Sequence, residues 1–173
     1  MCNLPNHNNS YEIILYNNIL SLSRNKLFYT KFALTDTFQN RINLIFFHIS
    51  FIFIKVNKYK EKNDYKRFYQ KLFDTVFNQI EINMRELGYG DVTVNKNMKF
   101  LVKSFYRILF FSEKFNKKRN EYKRTFFKEC LEYNKEKTPN YDNLIRYFED
   151  FQTFCFDLSS DSVLKGNFKF KFN

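Results

Sequence analysis

Residues 85–96 read Arg-Glu-Leu-Gly-Tyr-Gly-Asp-Val-Thr-Val-Asn-Lys, and they hold two of the three glycines in a chain of 173 residues. Apolar residues recur at helical spacing on both sides, over residues 65–87 and again over residues 95–113. The pattern therefore predicts two amphipathic helices that meet at the glycines.

The residues of this junction suit a turn between helices. We expect Gly88 to end the first helix in the left-handed conformation, and Gly90 to be a second permissive turn position. Asp91 or Thr93 is expected to accept hydrogen bonds from the free amides of the second helix. Gly88 and Gly90 do not form a nucleotide-binding loop, because the third glycine is missing and the preceding segment is a helix.

The composition predicts an all-α, single-domain helical bundle of about six or seven helices. The chain is 44% hydrophobic and contains 24 Phe, no Trp, three Gly and two Pro, so few positions suit a linker and the core is expected to be rich in phenylalanine. Residues 1–10 are polar and are predicted to be a disordered tail, with the helical domain over residues 11–173. Residues 163–172 alternate apolar and basic residues, which predicts a short extended tail that lays phenylalanines on the bundle.

A second feature is an apolar helix predicted over residues 37–56. Asp36 stands three residues before Gln39, which predicts that Asp36 caps this helix. Apolar residues then cover nearly the whole circumference, as in a helix that is buried or lies in a membrane. The apolar run is too short to span a bilayer, so we predict a core helix, and the alternative is a helix that docks on a membrane surface or an apolar partner.

Further along, a helix is predicted to continue through Tyr133 towards Lys137 and another over residues 141–155.

The positive charge is concentrated in two blocks. Residues 55–71 carry a net charge of +5 and residues 114–128 carry +6, and together these equal the net charge of +11 of the whole chain. The first block is expected to be a loop that enters the next helix. Aromatic residues are interleaved with these cations, so the blocks could bind a polyanion or an anionic membrane surface, or could be solvated helix faces. The candidate contacts for an anionic surface are Lys58, Lys60, Lys62, Lys66, Arg67, Lys117, Lys118, Arg119, Lys123 and Arg124.

The inventory of catalytic side chains is small. The two histidines are His7 in the polar tail and His48 inside the apolar helix, where a hydrogen-bonded core histidine is the expected role. Cys2, Cys130 and Cys155 have no metal-binding spacing and are predicted to be reduced thiols. We therefore predict no catalytic residue, metal or cofactor, and no secretory signal peptide.

Several motifs of this chain resemble those of a known family. The stretch from Leu72 to Lys99 holds Phe-Asp, then Arg-Glu-Leu-Gly-Tyr-Gly-Asp-Val and Val-Asn-Lys-Asn-Met-Lys. Upstream matches are Ser23-Arg24, Phe28-Tyr29, Asp36-Thr37, Arg41 and His48, and Gly166 and Phe170 fit a C-terminal Gly-x-x-x-Phe. This combination resembles the ubiquinol-cytochrome c chaperone family over nearly the whole chain. Departures are Thr35 for the family's Pro, Asn40 for its Gly, and the absence of Gly from Phe105-Tyr106-Arg107-Ile108.

The resemblance implies a non-enzymatic assembly chaperone that binds newly made cytochrome b of the ubiquinol:cytochrome c reductase, complex III. The compact length and the absence of a targeting segment suggest a bacterial member. The expected location is the cytoplasm at the inner face of the membrane, or the matrix side in a mitochondrial member, with the ribosome and a small partner protein as further partners. A basic protein that binds nucleic acid or the ribosome is the alternative. The resemblance gives as candidate partner contacts Asp36, Thr37, Arg41, His48, Arg85, Gly88, Tyr89, Gly90, Asp91, Val94 and Lys96.

Overall fold

The computed structural model describes residues 10–58, 63–166 and 169–172. Its helices, in chain order, are α1 Tyr11–Ser23, α2 Leu27–Thr30, α3 Phe38–Asn57, α4 Asn63–Glu86, α5 Asp91–Ser112, a 3-10 helix Phe115–Lys117, α6 Asn120–Cys130, α7 Tyr141–Asp157 and α8 Ser160–Leu164. Within these described ranges the β-structure is limited to one antiparallel bridge, between Leu34 and Tyr133. The predicted all-α bundle is confirmed.

Helix α3 forms the centre of the bundle. Every residue from Ile42 to Phe53 is buried, and α3 contacts α1, α4, α5, α7 and α8. The apolar circumference predicted for this segment therefore belongs to a core helix. Among the described helices, none combines the length and the apolar character needed to cross a bilayer.

The first turn of α3 differs from its prediction. Thr37 is the N-cap, and its hydroxyl accepts a hydrogen bond from the amide of Asn40 at 3.2 Å. Asp36 lies one residue too early to cap the helix, and it pairs instead with Arg41. The prediction that Asp36 is the cap was wrong, because Thr37 also has a capping hydroxyl and takes the extended conformation that a cap requires.

Two buried asparagines of α3 bind the chain that follows α6. The amide of Asn40 donates to the carbonyl of Glu132 at 2.7 Å and accepts from its backbone N–H at 2.9 Å, while Asn43 donates to the carbonyl of Cys130. These contacts replace helical hydrogen bonds, so α6 ends at Cys130. The predicted continuation of this helix through Tyr133 was therefore wrong.

Phenylalanine rings fill the space between the helices, as the composition predicts. Phe111 of α5 stacks on Phe126 of α6, with ring centroids 3.7 Å apart and planes 3° apart. Phe47 of α3 contacts both of these rings. Aromatic contacts thus join three helices at one point of the core.

The C-terminal residues also pack on the bundle. Phe170 contacts the rings of Tyr147 and Phe151, and Phe172 contacts Phe32. The prediction that phenylalanines of the tail lie on the bundle is confirmed for these two rings, but the predicted extended conformation was wrong for residues 163 and 164, which belong to α8. Residues 167 and 168 lie outside the described part of the chain. Gly166 has a φ of +64°, and its carbonyl accepts a hydrogen bond from Asn18 of α1.

Candidate functional site

A groove of about 230 Å³ lies where α1, α3 and the end of α4 meet. Ile42, Ile45 and Ile80 form its floor, and each is at most 3% exposed. Leu87 lines the groove from the α4 end and is 61% exposed. The remaining lining residues are Tyr16, Leu20, Arg24, Phe38, Arg41, Asn83 and Glu86. This is a groove beside the apolar helix, with an apolar floor and charged side chains at its edge.

Arg41 is held at the edge of this groove by Asp36. Its Nε and Nη2 atoms lie 2.7 and 2.8 Å from the two carboxylate oxygens of Asp36, so the pair is bidentate. The hydrogen bond from Arg41 lowers the pKa of the Asp36 carboxyl below its ordinary value. Because both side chains are about half exposed, the pair orients the guanidinium more than it stabilises the fold.

The glycine junction lies next to the groove and has the geometry of a helix C-terminus. Gly88 has a φ of +85°. Its amide donates to the carbonyl of Arg85, and the amide of Tyr89 donates to the carbonyl of Met84. These two hydrogen bonds form a Schellman motif. The expected role of Gly88 is confirmed.

The second helix starts earlier than predicted. Gly90 is the N-cap of α5 and supplies no side-chain hydrogen bond, so α5 begins at Asp91 rather than near Asn95. The carboxylate of Asp91 accepts a hydrogen bond from Nη1 of Arg85 at 2.5 Å, across the turn. Arg85 also donates to Glu81, one turn earlier on α4. The expectation that Asp91 or Thr93 caps α5 was wrong, and Asp91 instead ties the start of α5 to the end of α4.

His48 lies in the core, away from any surface. It is fully buried, its Nδ1 lies 2.6 Å from the carbonyl of Leu44, and its Nε2 lies 2.7 Å from the hydroxyl of Tyr147. Burial lowers its pKa to about 4, so the imidazole is neutral at pH 7. This confirms the expected core histidine, and a partner on the surface does not reach it in this arrangement.

The other motif residues divide into exposed and buried positions. Val94 is fully buried against the core, and Thr37 acts as the cap of α3. Arg85, Tyr89 and Lys96 are exposed around the glycine turn. A partner at this corner would therefore contact these three side chains.

The first basic block is mainly helical. Residues 55–57 end α3 and residues 63–71 begin α4, so the prediction of a loop was wrong for these residues. Lys66 and Arg67 line a depression of about 840 Å³, and Lys58 lies over the ring of Phe156. Lys60 and Lys62 lie outside the described residues.

The second block does not form one continuous basic surface. Lys123 is 1% exposed, and its Nζ lies 2.5 Å from a carboxylate oxygen of Glu149, so its assignment to an anionic surface was wrong. Arg124 pairs with Asp142, and Lys118 donates to the carbonyl of Glu113. Lys117 and Arg119 remain exposed. Aromatic rings and carboxylates of the chain thus engage part of this block.

Sequence reasoning missed the outward side of α5. Val92, Phe100 and Phe110 are 84%, 61% and 75% exposed, although this helix also carries a full apolar stripe towards the core. The signal was available, because these residues lie out of phase with the buried stripe.

The described ranges show no metal-binding cluster. Residues 10–58, 63–166 and 169–172 contain no group of three or more His, Cys, Asp or Glu side chains arranged around an ion. Cys130 and Cys155 are free thiols, and burial raises the pKa of the Cys130 thiol to about 11. Cys2 lies outside the described part.

Comparison with known proteins gives two results. The chain resembles the crystal structure of the Cbp3 homologue from Brucella abortus, with a TM-score of 0.75 and 23% sequence identity over 93% of this chain and 88% of that one. No curated protein sequence matches significantly. The family model described as ubiquinol-cytochrome C chaperone matches residues 30–170, which include α3, the groove floor and the glycine turn. This chain therefore belongs to the ubiquinol-cytochrome C chaperone family.

Proposed function

We propose that this protein is a non-enzymatic assembly chaperone for cytochrome b of complex III, and that the groove beside α3 holds an apolar segment of the newly made subunit. The family assignment supports the coarse function. The groove supports the finer one, because it combines an apolar floor with the exposed side chain of Leu87 and lies beside the residues of the family motif.

The dimensions of the groove suit polypeptide side chains. Its volume of about 230 Å³ is below the range of about 300–1,000 Å³ of small-molecule sites. Burial of an apolar residue there removes its surface and that of Leu87 from water. Arg24 and Arg41 at the edge would then meet a carboxylate or the terminal carbonyls of a client helix.

The glycine corner is the second part of this proposal. Leu87 lines the groove, and Arg85 and Tyr89 lie in the turn that follows it. A client seated in the groove would thus lie next to these exposed side chains. Arg85 is already held by Glu81 and Asp91, so its position costs little entropy on binding.

The test is complementation of a strain that lacks the gene. We expect the deletion to reduce haem-stained cytochrome b and complex III activity, and the wild-type gene to restore both. Leu87→Lys should restore neither, because it places a charge in the groove. The matched control is Ile82→Lys, since Ile82 is also a partly exposed apolar residue of α4 but does not line the groove.

Different results overturn different parts of the proposal. Normal haem-loaded cytochrome b in the deletion strain would exclude the function itself. Equal rescue by Leu87→Lys and Ile82→Lys, with equal protein levels on an immunoblot, would exclude the groove. If folded Arg85→Ala and Lys96→Ala proteins support full assembly, the glycine turn and its exposed side chains have a structural role and do not contact the client.

The same strain addresses the remaining partners. Crosslinking in cells followed by mass spectrometry should recover cytochrome b, and it would also show contact with the ribosome or a small partner protein. A nucleic-acid-binding protein would instead bind RNA with a steep salt dependence and would leave cytochrome b unchanged in the deletion strain.

A further inference from the structure

The outer face of α5 carries exposed apolar residues interleaved with lysines. We define this face as Val92, Lys96, Lys99, Phe100, Lys103 and Phe110, all of which are exposed. At 100° per residue they fall within a sector of about 100°, and from Val92 to Phe110 they extend about 27 Å along the helix. The opposite side of α5 is buried, with Val94, Leu101 and Phe105 in the core. The fold therefore leaves this face to solvent.

The lysines of this face take no part in the ion pairs among the described residues. Neither Lys96, Lys99 nor Lys103 forms an ion pair with the described part of the chain. The acidic residue of α5, Asp91, is engaged by Arg85 at the start of the helix. Arg107 lies in the same sector but is paired with Glu129, so the uncompensated positive charge of this side of α5 comes from the three lysines.

We propose that the outer face of α5 binds the surface of an anionic membrane, with Val92, Phe100 and Phe110 entering the headgroup layer and the lysines contacting lipid phosphates. Lysine side chains can bury their methylene stems beside an apolar residue while the ammonium group stays at the phosphates. The charges complement an anionic bilayer, and each lysine near such a surface strengthens binding by about fivefold.

The order of side chains favours a membrane over an acidic protein. In a protein–protein interface the apolar residues form the centre, and lysine is depleted there. On α5 the lysines instead occupy the middle of the face, where Lys96, Lys99 and Lys103 surround Phe100 and lie between Val92 and Phe110, the two most exposed apolar residues of the face. A flat lipid surface can accept that order, since it offers phosphate and apolar depth along the whole helix.

This inference deepens the proposed function and rests on it, because a chaperone of cytochrome b acts where that subunit is assembled, in a membrane. Only four residues, the three of the glycine turn and Asp91 at the start of α5, separate Val92 from Leu87 of the groove. A membrane-bound α5 would therefore hold the groove near the bilayer that contains the client.

The experiment measures binding of the purified full-length protein to vesicles. We expect binding to vesicles of phosphatidylglycerol and phosphatidylcholine, and little binding to phosphatidylcholine alone. The combined variant Lys96→Gln, Lys99→Gln, Lys103→Gln should weaken binding by about 100-fold. Val92→Ser with Phe110→Ser should weaken it by about tenfold or more at unchanged charge.

The matched control removes three exposed lysines elsewhere: Lys31→Gln, Lys135→Gln, Lys137→Gln. It should weaken binding by no more than a few-fold, and circular dichroism should show that all variants fold. Equal losses in the control and the α5 lysine variant would overturn the proposal in favour of net charge. Unchanged vesicle binding by both α5 variants would also overturn it, and failure of those variants to restore cytochrome b would then indicate a protein partner. If α5 mediates vesicle binding but the deletion strain has normal cytochrome b, the lipid-binding site is supported and the proposed function is excluded.

Discussion

The Nε2 atom of His48 lies 2.7 Å from the hydroxyl of Tyr147, and both side chains are buried between α3 and α7. The carbonyl of Leu44 can only accept, so the Nδ1 atom of His48 carries the proton. The Nε2 atom is then the acceptor and the Tyr147 hydroxyl is the donor. One neutral tautomer satisfies all of these groups.

The first prediction concerns this hydrogen bond. Tyr147→Phe leaves the Nε2 atom buried without a donor and should lower the free energy of unfolding by about 1–3 kcal/mol. The double variant Tyr147→Phe, His48→Leu should lose less stability than the sum of the losses in the two single variants, because the unpaired acceptor is removed as well. Urea unfolding monitored by circular dichroism measures all three variants.

A matched control is available for this prediction. The Tyr133 hydroxyl is also buried, but it has no hydrogen-bond partner among the described residues. Tyr133→Phe should therefore change stability by less than about 0.5 kcal/mol or increase it. If Tyr147→Phe and Tyr133→Phe behave alike, the His48–Tyr147 hydrogen bond contributes nothing measurable.

The second prediction is a pH dependence. The folded-state pKa of His48 is about 4, below the unfolded value of about 6.5. Because the folded state disfavours the protonated form, stability is highest above pH 6.5 and falls as the pH decreases towards 4. Between pH 7 and pH 5 this group should lower the free energy of unfolding by about 2 kcal/mol. His48→Leu should remove that part of the slope, and a slope that persists in this variant would assign it to other groups.

The third prediction ranks the three glycines. A Cβ at Gly166 would lie 2.8 Å from the backbone N of Leu15, and φ is positive there, so Gly166→Ala should be the most destabilising of the three. Gly88→Ala meets no neighbour within 4 Å but keeps a φ of +85°, which should cost about 1–2 kcal/mol. Gly90→Ala, with a φ of −71° and open space, should change stability by less than about 0.5 kcal/mol. Thermal unfolding of the three variants tests the order, and equal losses at Gly88 and Gly90 would contradict it.

The fourth prediction concerns the buried ammonium group of Lys123. Glu149→Gln removes its carboxylate partner and leaves a buried cation against the ring of Phe115. We expect a loss of about 1–3 kcal/mol, since Glu149 itself is partly exposed to water. Asp142→Asn breaks the exposed pair with Arg124 and serves as the control, with an expected loss below about 1 kcal/mol. Chemical denaturation compares the two, and similar losses would argue against a special role for burial.

The local chemistry of the glycine turn could be predicted from the sequence, but its contacts could not. A left-handed Gly88 follows from residue type and helical spacing alone. The hydrogen bond from Arg85 to Asp91 does not, because it depends on the angle between α4 and α5. The residues that line the groove also escaped prediction, since its floor comes from residues of α3 and α4 that appear in the sequence as ordinary core positions.

By itself, the sequence determined the all-α class, the buried α3 helix, the position of the turn and the resemblance to the chaperone family. These features can be predicted because helical periodicity and turn residues depend on neighbours that are close in the sequence. Only the tertiary structure decided which cations reach solvent. Lys123 is buried on Glu149 while Lys96, Lys99 and Lys103 remain exposed, although every lysine carries the same charge in the sequence. The packing of α6 on α7, and of α5 on α3 and α4, sets this difference, because burial is fixed by which faces of separate helices meet.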